Sequence, residues 1–180
     1  METPEYEIAT TRLRLRALSL EEIQLAMRGD RSALGARLGA EVPAEWPGAN
    51  LAASLPEIAA EMAERPGDER WVWVVIEPTT GALVGDVGFH GPVRGMPSVE
   101  LGYVILPPHR GRGYATEATG PLAAWGLAQP GVERVILLIA PDNAASLRVA
   151  AKLGMREVAS AEPPYRCFER RRGDGGASHG

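Results

Sequence analysis

The chain has 180 residues, of which 45% are hydrophobic, and a formal net charge of -4. This length predicts one domain with its own core, and the acidic balance argues against binding nucleic acid or an anionic membrane surface through bulk charge. Cys167 is the only cysteine, which excludes an intrachain disulfide, and the amino terminus lacks a secretory signal. We therefore expect a cytoplasmic protein.

The first part of the chain predicts a strand and a capped helix. Residues 11–16 alternate polar and apolar side chains, which is typical of a strand with one solvated face. Ser19 stands three residues before Glu22, the spacing of a capping box, and predicts a helix that runs to about Arg28. Residues 29–67 mix short helical patterns with turn residues, and their geometry is not predicted.

The middle and end of the chain predict a sheet with crossover helices. Two apolar runs around a turn at residues 78–81 indicate a hairpin, and a further strand, helix and strand follow at 99–106, 114–128 and 134–140. This order predicts a parallel crossover. A second helix at 143–153 and two strands at 155–159 and 165–169 complete a single domain of residues 1–169, and residues 170–180 are expected to form a disordered tail.

A glycine-punctuated turn joins the strand at 99–106 to the helix at 114–128. It reads Arg-Gly-Arg-Gly-Tyr-Ala from Arg110 to Ala115. Glycines allow a ligand to approach the backbone closely, and the first amides of a helix are unpaired and lie at the positive end of its dipole. The turn therefore predicts a site for a phosphate or pyrophosphate group.

Two other phosphate-binding motifs do not fit this turn. A P-loop requires a lysine after its last glycine, but Lys152 is the only lysine in the chain. A dinucleotide fingerprint that starts at Gly111 would place its third glycine or alanine at Thr116, and the first half of the chain lacks the strand and short helix crossover that this fold needs.

The turn and the residues that follow it resemble the acetyl-CoA site of the GNAT superfamily of N-acetyltransferases. The matching pattern is Arg-x-x-Gly-x-Ala from Arg110, then Asn-Ala-Ala-Ser at Asn143 and Lys-Leu-Gly-Met at Lys152. The resemblance implies a GNAT-type acyl-CoA N-acyltransferase fold of the α/β (α+β) class. Its sheet is mixed and mostly antiparallel, with splayed central parallel strands, and helices flank it. The implied co-substrate is acetyl-CoA, with no metal.

The same resemblance implies which residues hold acetyl-CoA. The strand before the turn would bind the pantetheine through its backbone, with the Val104 amide as the oxyanion donor, and Asn143 would hold the cofactor or act only as a helix N-cap. The full set of expected cofactor-binding residues is Val104, Ile105, Leu106, Arg110, Gly111, Arg112, Gly113, Tyr114, Ala115 and Asn143.

Acetyl transfer to an amine needs a base and an acid for the leaving thiolate. Glu100 is the first choice for the base, with Asp86, Glu77 and His90 as alternatives, although Glu100 could equally be a solvated carboxylate. Many GNAT members place a tyrosine that protonates the thiolate on the helix after the asparagine, and this helix has no tyrosine. That departure favours a resemblance to the RimJ/RimL-type ribosomal-protein N-terminal acetyltransferases, which implies Ser146 as the acid unless its hydroxyl only caps the helix.

These observations predict an N-acetyltransferase that transfers an acetyl group to a primary amine. The sequence shows no dense acidic cluster for a polycation, which favours a protein N-terminal α-amine over an aminoglycoside or polyamine. A non-catalytic acyl-CoA-binding regulatory module is the alternative from another class. Trp46, Trp71 and Trp73 are candidates to line the acceptor pocket, and we expect a homodimer with no nucleic-acid or membrane partner.

Overall fold

The computed structural model describes residues 6–65, 72–90 and 97–174. The strands are β1 (Glu7–Ala9), β2 (Arg14–Ala17), β3 (Val72–Glu77), β4 (Ala82–His90), β5 (Ser98–Ile105), β6 (Arg134–Ile139), β7 (Arg156–Val158) and β8 (Arg166–Arg171). The helices are α1 (Leu20–Met27), α2 (Arg31–Leu38), α3 (Ala49–Glu64), α4 (Tyr114–Ala128) and α5 (Ala144–Lys152).

All eight strands form one sheet in the order β1-β2-β3-β4-β5-β6-β8-β7. Every neighbouring pair is antiparallel except β5 and β6, which are parallel and are connected through α4. The predicted hairpin and parallel crossover are therefore confirmed. The strand order also places the parallel pair near the middle of the sheet.

Side-chain caps mark the start of the first two flanking helices. The capping box of α1 is confirmed, because Ser19 accepts from the Glu22 amide and Glu22 accepts from the Ser19 amide. Asp30 caps α2 through the Ala33 amide. The sequence did not predict β1, α2 or α3.

The two faces of the sheet bury separate hydrophobic clusters. One cluster lies under α4 and α5 and includes Trp73 and Leu122, and the other lies under α1, α2 and α3 and includes Trp46 and Leu55. This division gives the molecule two helical layers with the sheet between them. Within the described ranges, no helix is long and apolar enough to cross a membrane.

The carboxyl-terminal strand extends past the expected end of the domain. β8 continues to Arg171, and the Arg172 guanidinium donates to the carbonyls of Gln129 and Val132, each at 2.7 Å. The boundary expected at residue 169 therefore falls inside β8. Residues 175–180, the remainder of the expected tail, lie outside the described residues.

Candidate active site

The central parallel strands separate after a short paired stretch. β5 and β6 pair from Ser98 with Arg134 to Glu100 with Ile136, and neither strand pairs with the other beyond that point. β5 continues to Ile105 and β6 to Ile139. The result is a gap at the carboxyl ends of the two strands, as the family resemblance implied.

The register decides which backbone groups of β5 face this gap. The Leu106 amide donates to the Val84 carbonyl at 2.9 Å, and because hydrogen-bonded pairs alternate along an antiparallel ladder, the Val104 amide also points toward β4. The groups of Tyr103 and Ile105 point the other way, and the Ile105 carbonyl accepts from Arg110 Nε at 2.9 Å.

This register corrects two sequence-based expectations. The Val104 amide belongs to the β4 ladder, so the amides that face the gap are those of Tyr103 and Ile105. Leu106 also bonds to β4, and its side chain is 5% exposed in the cluster on the opposite face of the sheet. Leu106 therefore offers no group to the gap.

The gap opens into a cleft of about 620 Å³ between β5, the glycine turn and α5. Most of the expected cofactor-binding residues line it, namely Val104, Ile105, Arg110, Gly111, Gly113, Tyr114, Ala115 and Asn143, together with Ser146. Arg112 and Glu100 do not line it. The Arg112 guanidinium instead donates to the Pro108 carbonyl at 3.2 Å.

The glycine turn presents unpaired amides to the cleft. Gly111 and Gly113 have φ values of 75° and 83°, the left-handed region that favours glycine. Gly113 is the N-cap of α4 and gives no side-chain cap. Among the described residues, the amides of Tyr114 and Ala115 have no backbone acceptor, so they remain available to an anion.

An arginine that the sequence analysis missed lies between β1 and β2 and holds this turn through hydrogen bonds. Arg12 donates through Nε to Glu117 on α4 at 2.8 Å and through Nη2 to the Arg112 carbonyl at 3.0 Å. Its guanidinium also lies over the Tyr114 ring, 4.8 Å from the ring centre. About a hundred residues separate these partners, and no local pattern indicates the contact.

The Tyr114 phenol is hydrogen-bonded to Glu77, one of the candidate bases. It donates a short hydrogen bond to Glu77 at the end of β3. The bonds from Tyr114 and Thr80 lower the pKa of Glu77, while burial opposes them. A carboxyl group with a lowered pKa and two donors is a poor proton acceptor at neutral pH.

Positive groups line the cleft although the chain is acidic overall. Arg110, Arg148 and Lys152 are among the lining residues, and within the described part of the chain no aspartate or glutamate lines the cleft. Two buried polar atoms, the Tyr103 hydroxyl and His109 Nδ1, also belong to lining residues and have no hydrogen-bond partner among the described residues. The cleft is therefore suited to a polar anionic ligand.

The start of α5 borders the cleft and contains two expected site residues. Asn143 Oδ1 accepts from the Ser146 amide at 3.1 Å, so the N-cap role of Asn143 is confirmed. Ser146 is half-buried and lies near the Tyr103 hydroxyl, where it affects the pKa of that phenol.

A second cavity, of about 450 Å³, lies on the opposite face of the sheet beneath α3. Tyr103 and Val104 line both this cavity and the cleft. Gly88 and Gly102 are cross-strand partners and leave its floor without side chains. Asp86, Glu57 and Glu61 also line it, so this cavity is acidic where the cleft is basic.

Asp86 is the buried carboxyl group of the second cavity. It is 9% exposed and accepts a hydrogen bond at 2.9 Å from Trp46 Nε1. Burial raises the pKa of Asp86 to about 6, and the Trp46 bond partly opposes the rise. Asp86 pairs with Val104 across β4 and β5, which places it at the junction of the two cavities.

Glu100 lies further along the same face and lines neither cavity. It pairs with His90, and burial raises its pKa while the charge of His90 lowers it and that of Glu162 raises it. Of the expected pocket tryptophans, Trp73 is buried in the core and Trp46 supports Asp86. Trp71 lies outside the described residues.

Comparison with known proteins agrees with this architecture. Residues 12–156 match the model of the acetyltransferase (GNAT) domain family. The uncharacterized N-acetyltransferase YjdG of Bacillus subtilis is 28% identical over 148 residues, which cover 82% of this chain and 88% of YjdG.

Solved structures share the fold at low sequence identity. Mycobacterium smegmatis RimJ in complex with CoA-disulfide superimposes with a TM-score of 0.64 at 18% identity, covering 96% of this chain and 90% of RimJ. A ribosomal-protein-S5-alanine acetyltransferase from Vibrio fischeri gives a TM-score of 0.64 at 14% identity, covering 94% of this chain and 98% of that protein. With the splayed strands and the glycine turn in place, the chain belongs to the GNAT acetyltransferase family.

Proposed function

We propose that this enzyme transfers the acetyl group of acetyl-CoA to a primary amine, and that the acceptor is a protein N-terminal α-amine. The observation that carries the proposal is the pair of cavities that meet at Tyr103 and Val104 from opposite faces of the sheet. One is basic and suits a phosphate-bearing donor, and the other is acidic and suits a protonated amine.

The cleft has the groups that acetyl-CoA requires. The amides of Tyr114 and Ala115 and the open backbone at Gly111 and Gly113 would hold the pyrophosphate, because no side chain blocks their approach. Arg110 would add a charged hydrogen bond. Tyr103 and Ile105 would pair with the pantetheine through backbone groups that face the gap, and Asn143 borders the same cleft.

We assign the base to Asp86 in preference to Glu100. Asp86 lines the second cavity, which we call the acceptor cavity, beside Tyr103 and Val104. Glu100 lines neither cavity. A base with a pKa of about 6 is mostly ionised at neutral pH and still binds a proton more tightly than an ordinary aspartate. On the leaving-group side, Ser146 of α5 lies beside the cleft, as the family resemblance implied.

A small cationic amine, such as a polyamine or aminoglycoside, is the second candidate acceptor. The structure brings Glu57 and Glu61 of α3 to the same cavity as Asp86. The sequence did not reveal this cluster, because α3 and β4 are separated along the chain. Three carboxyl groups around one cavity would also bind an acceptor with more than one positive charge.

The test is a calorimetric titration with acetyl-CoA followed by a thiol-release assay with three acceptor classes: N-terminal peptides, polyamines and aminoglycosides. Faster release with peptides than with the other two classes is the expected result, and faster release with polyamines or aminoglycosides assigns the second candidate. Binding without release for any acceptor would make the protein a regulatory acyl-CoA-binding module. The absence of acetyl-CoA binding would contradict the proposal altogether.

A further inference from the structure

Tyr103 occupies the one stretch of β5 that both cavities share. It lines the cleft and the acceptor cavity, and its backbone faces the gap between the splayed strands. In the proposed function, an acetyl group that moves from acetyl-CoA in the cleft to an amine in the acceptor cavity must pass Tyr103. The Tyr103 side chain is therefore positioned at the junction where the reaction would occur.

The phenol of Tyr103 is buried without a structural partner. Its hydroxyl makes no hydrogen bond of good geometry with any described residue. Leaving a buried hydroxyl unsatisfied costs about 1–3 kcal/mol, so an orphaned group of this kind calls for an explanation. A ligand in the cleft that accepts its proton would satisfy it.

Ser146 is the side chain that lies close enough to influence this phenol. Burial raises the pKa of Tyr103, and the Ser146 hydroxyl partly opposes the rise. Both residues line the same cleft, one from β5 and the other from α5. The phenol thus keeps its proton at neutral pH and has a hydroxyl neighbour at the edge of the cleft.

We infer that Tyr103 is the acid that protonates the leaving thiolate and that Ser146 positions its hydroxyl. This inference rests on the proposed function. It also accounts for the sequence of α5, which has no tyrosine between residues 144 and 152: β5 supplies the phenol from the other wall of the cleft.

The proton balance of the transfer is complete with these groups. The ammonium form of the acceptor first gives a proton to Asp86, which releases it to solvent. The neutral amine nitrogen then attacks the thioester carbon, and a carbon–nitrogen bond forms while the carbonyl electron pair moves to oxygen until the carbon–sulfur bond breaks. A second nitrogen proton passes to Asp86. The carbon–sulfur bond then breaks, its electron pair stays on sulfur, and the Tyr103 proton moves to that sulfur to give the free thiol. The proton held by Asp86 leaves to solvent, and the Tyr103 phenolate regains one from solvent.

The deciding variants are Tyr103→Phe and Ser146→Ala, each measured for kcat, for both KM values and for calorimetric affinity. Loss of the acid lowers kcat by roughly 100-fold in Tyr103→Phe, with the acetyl-CoA affinity unchanged. Affinity for the product CoA, measured at a pH that ionises its thiol, falls about tenfold, because the phenol donates to that sulfur. The variant Ser146→Ala gives a smaller loss of kcat, and the double variant is no worse than Tyr103→Phe, since the two side chains act as one unit.

Tyr165→Phe is the matched control, because Tyr165 is 47% exposed and lies in neither cavity. A Tyr103→Phe enzyme with kcat within twofold of wild type and unchanged CoA affinity overturns the inference. A large loss in Ser146→Ala with none in Tyr103→Phe overturns it as well and makes Ser146 the acid. If the wild-type protein acetylates no amine, the proposed function fails and the acid role fails with it, while the comparison of CoA with acetyl-CoA affinity still decides whether the Tyr103 hydroxyl contacts the sulfur.

Discussion

Asp86 combines a buried position with a site at the junction of the two cavities. Its pKa is about 6 in the folded protein and 3.8 when unperturbed, so the folded protein binds the Asp86 proton more tightly than the unfolded chain does. The carboxyl group therefore destabilises the fold increasingly as pH rises from about 4 to 6, and the full cost of about 3 kcal/mol is present above pH 6. A residue that weakens the fold at working pH is expected where catalysis requires it.

The substitution Asp86→Asn is expected to separate stability from activity. An asparagine oxygen can still accept from Trp46 Nε1, and the buried charge is gone. The melting temperature should rise at pH 8 and change little at pH 4, because the carboxyl group is mostly protonated in the folded protein at the lower pH. The value of kcat should fall by roughly 100-fold through loss of the base. Thermal denaturation at both pH values and a thiol-release assay measure the two effects.

Two further variants make this result interpretable. Asp142→Asn changes an exposed aspartate and should leave the melting temperature unchanged at both pH values. Glu100→Gln removes the carboxyl group that sequence analysis preferred. If Glu100→Gln reduces kcat more than Asp86→Asn does, the base is Glu100 and the assignment to Asp86 is wrong.

At the scale of single elements, the sequence predicted those whose signals are local. The capping box at Ser19 predicted α1, and the parallel crossover followed from the apolar runs on each side of α4. α3 gave no such signal, because Gly48 caps it without a side chain and Pro56 lies inside it. Its position depends on packing with α1 and the sheet, which no local pattern encodes.

The glycine turn is the element whose proposed function a single substitution tests directly. We expect Gly113→Asp to weaken acetyl-CoA binding by roughly 100-fold, about 2.7 kcal/mol. The added Cβ blocks approach to the first amides of α4, and its carboxylate repels the phosphates. Calorimetry with acetyl-CoA measures the loss.

Gly29→Asp is the matched control for this prediction. Gly29 has a φ of 69° in the turn between α1 and α2, so it imposes similar backbone strain far from the cleft. Both variants should lose similar stability, and only Gly113→Asp should lose affinity. Equal acetyl-CoA affinity in the two would show that the turn does not bind the phosphates.

At the scale of the whole molecule, the cleft and the second cavity lie on separate faces of the sheet and meet at Tyr103 and Val104. In the proposed function, the donor and the acceptor would therefore approach each other from opposite faces. The contacts that build this arrangement join distant parts of the chain, such as Arg12 with Glu117 and Trp46 with Asp86. Sequence analysis predicted most of the cleft because its residues form two compact motifs. The acceptor cavity could not be predicted, because its walls come from α3, β4 and β5 and share no motif.

Because the two cavities lie on separate faces, a substitution should be able to change acceptor binding without changing acetyl-CoA binding. The double substitution Glu57→Gln and Glu61→Gln should raise the KM for a polyamine about tenfold, since each carboxylate lines the cavity and attracts a cation there. The KM for acetyl-CoA should not change, because neither residue lines the cleft. For a peptide with one positive charge the rise should be smaller. Initial-rate kinetics at low and high salt measure all three values, and salt should reduce the difference between wild type and variant.

Glu64→Gln provides the control on the same helix, because Glu64 is exposed on α3 and does not line the acceptor cavity. It should leave every KM unchanged. An equal rise for the polyamine and for the singly charged peptide would mean that α3 contributes shape rather than charge to acceptor binding. A rise in the KM for acetyl-CoA in the double variant would contradict the separation of the two faces. Neither substituted residue lines the cleft, so such a rise would mean that the change is transmitted through the sheet.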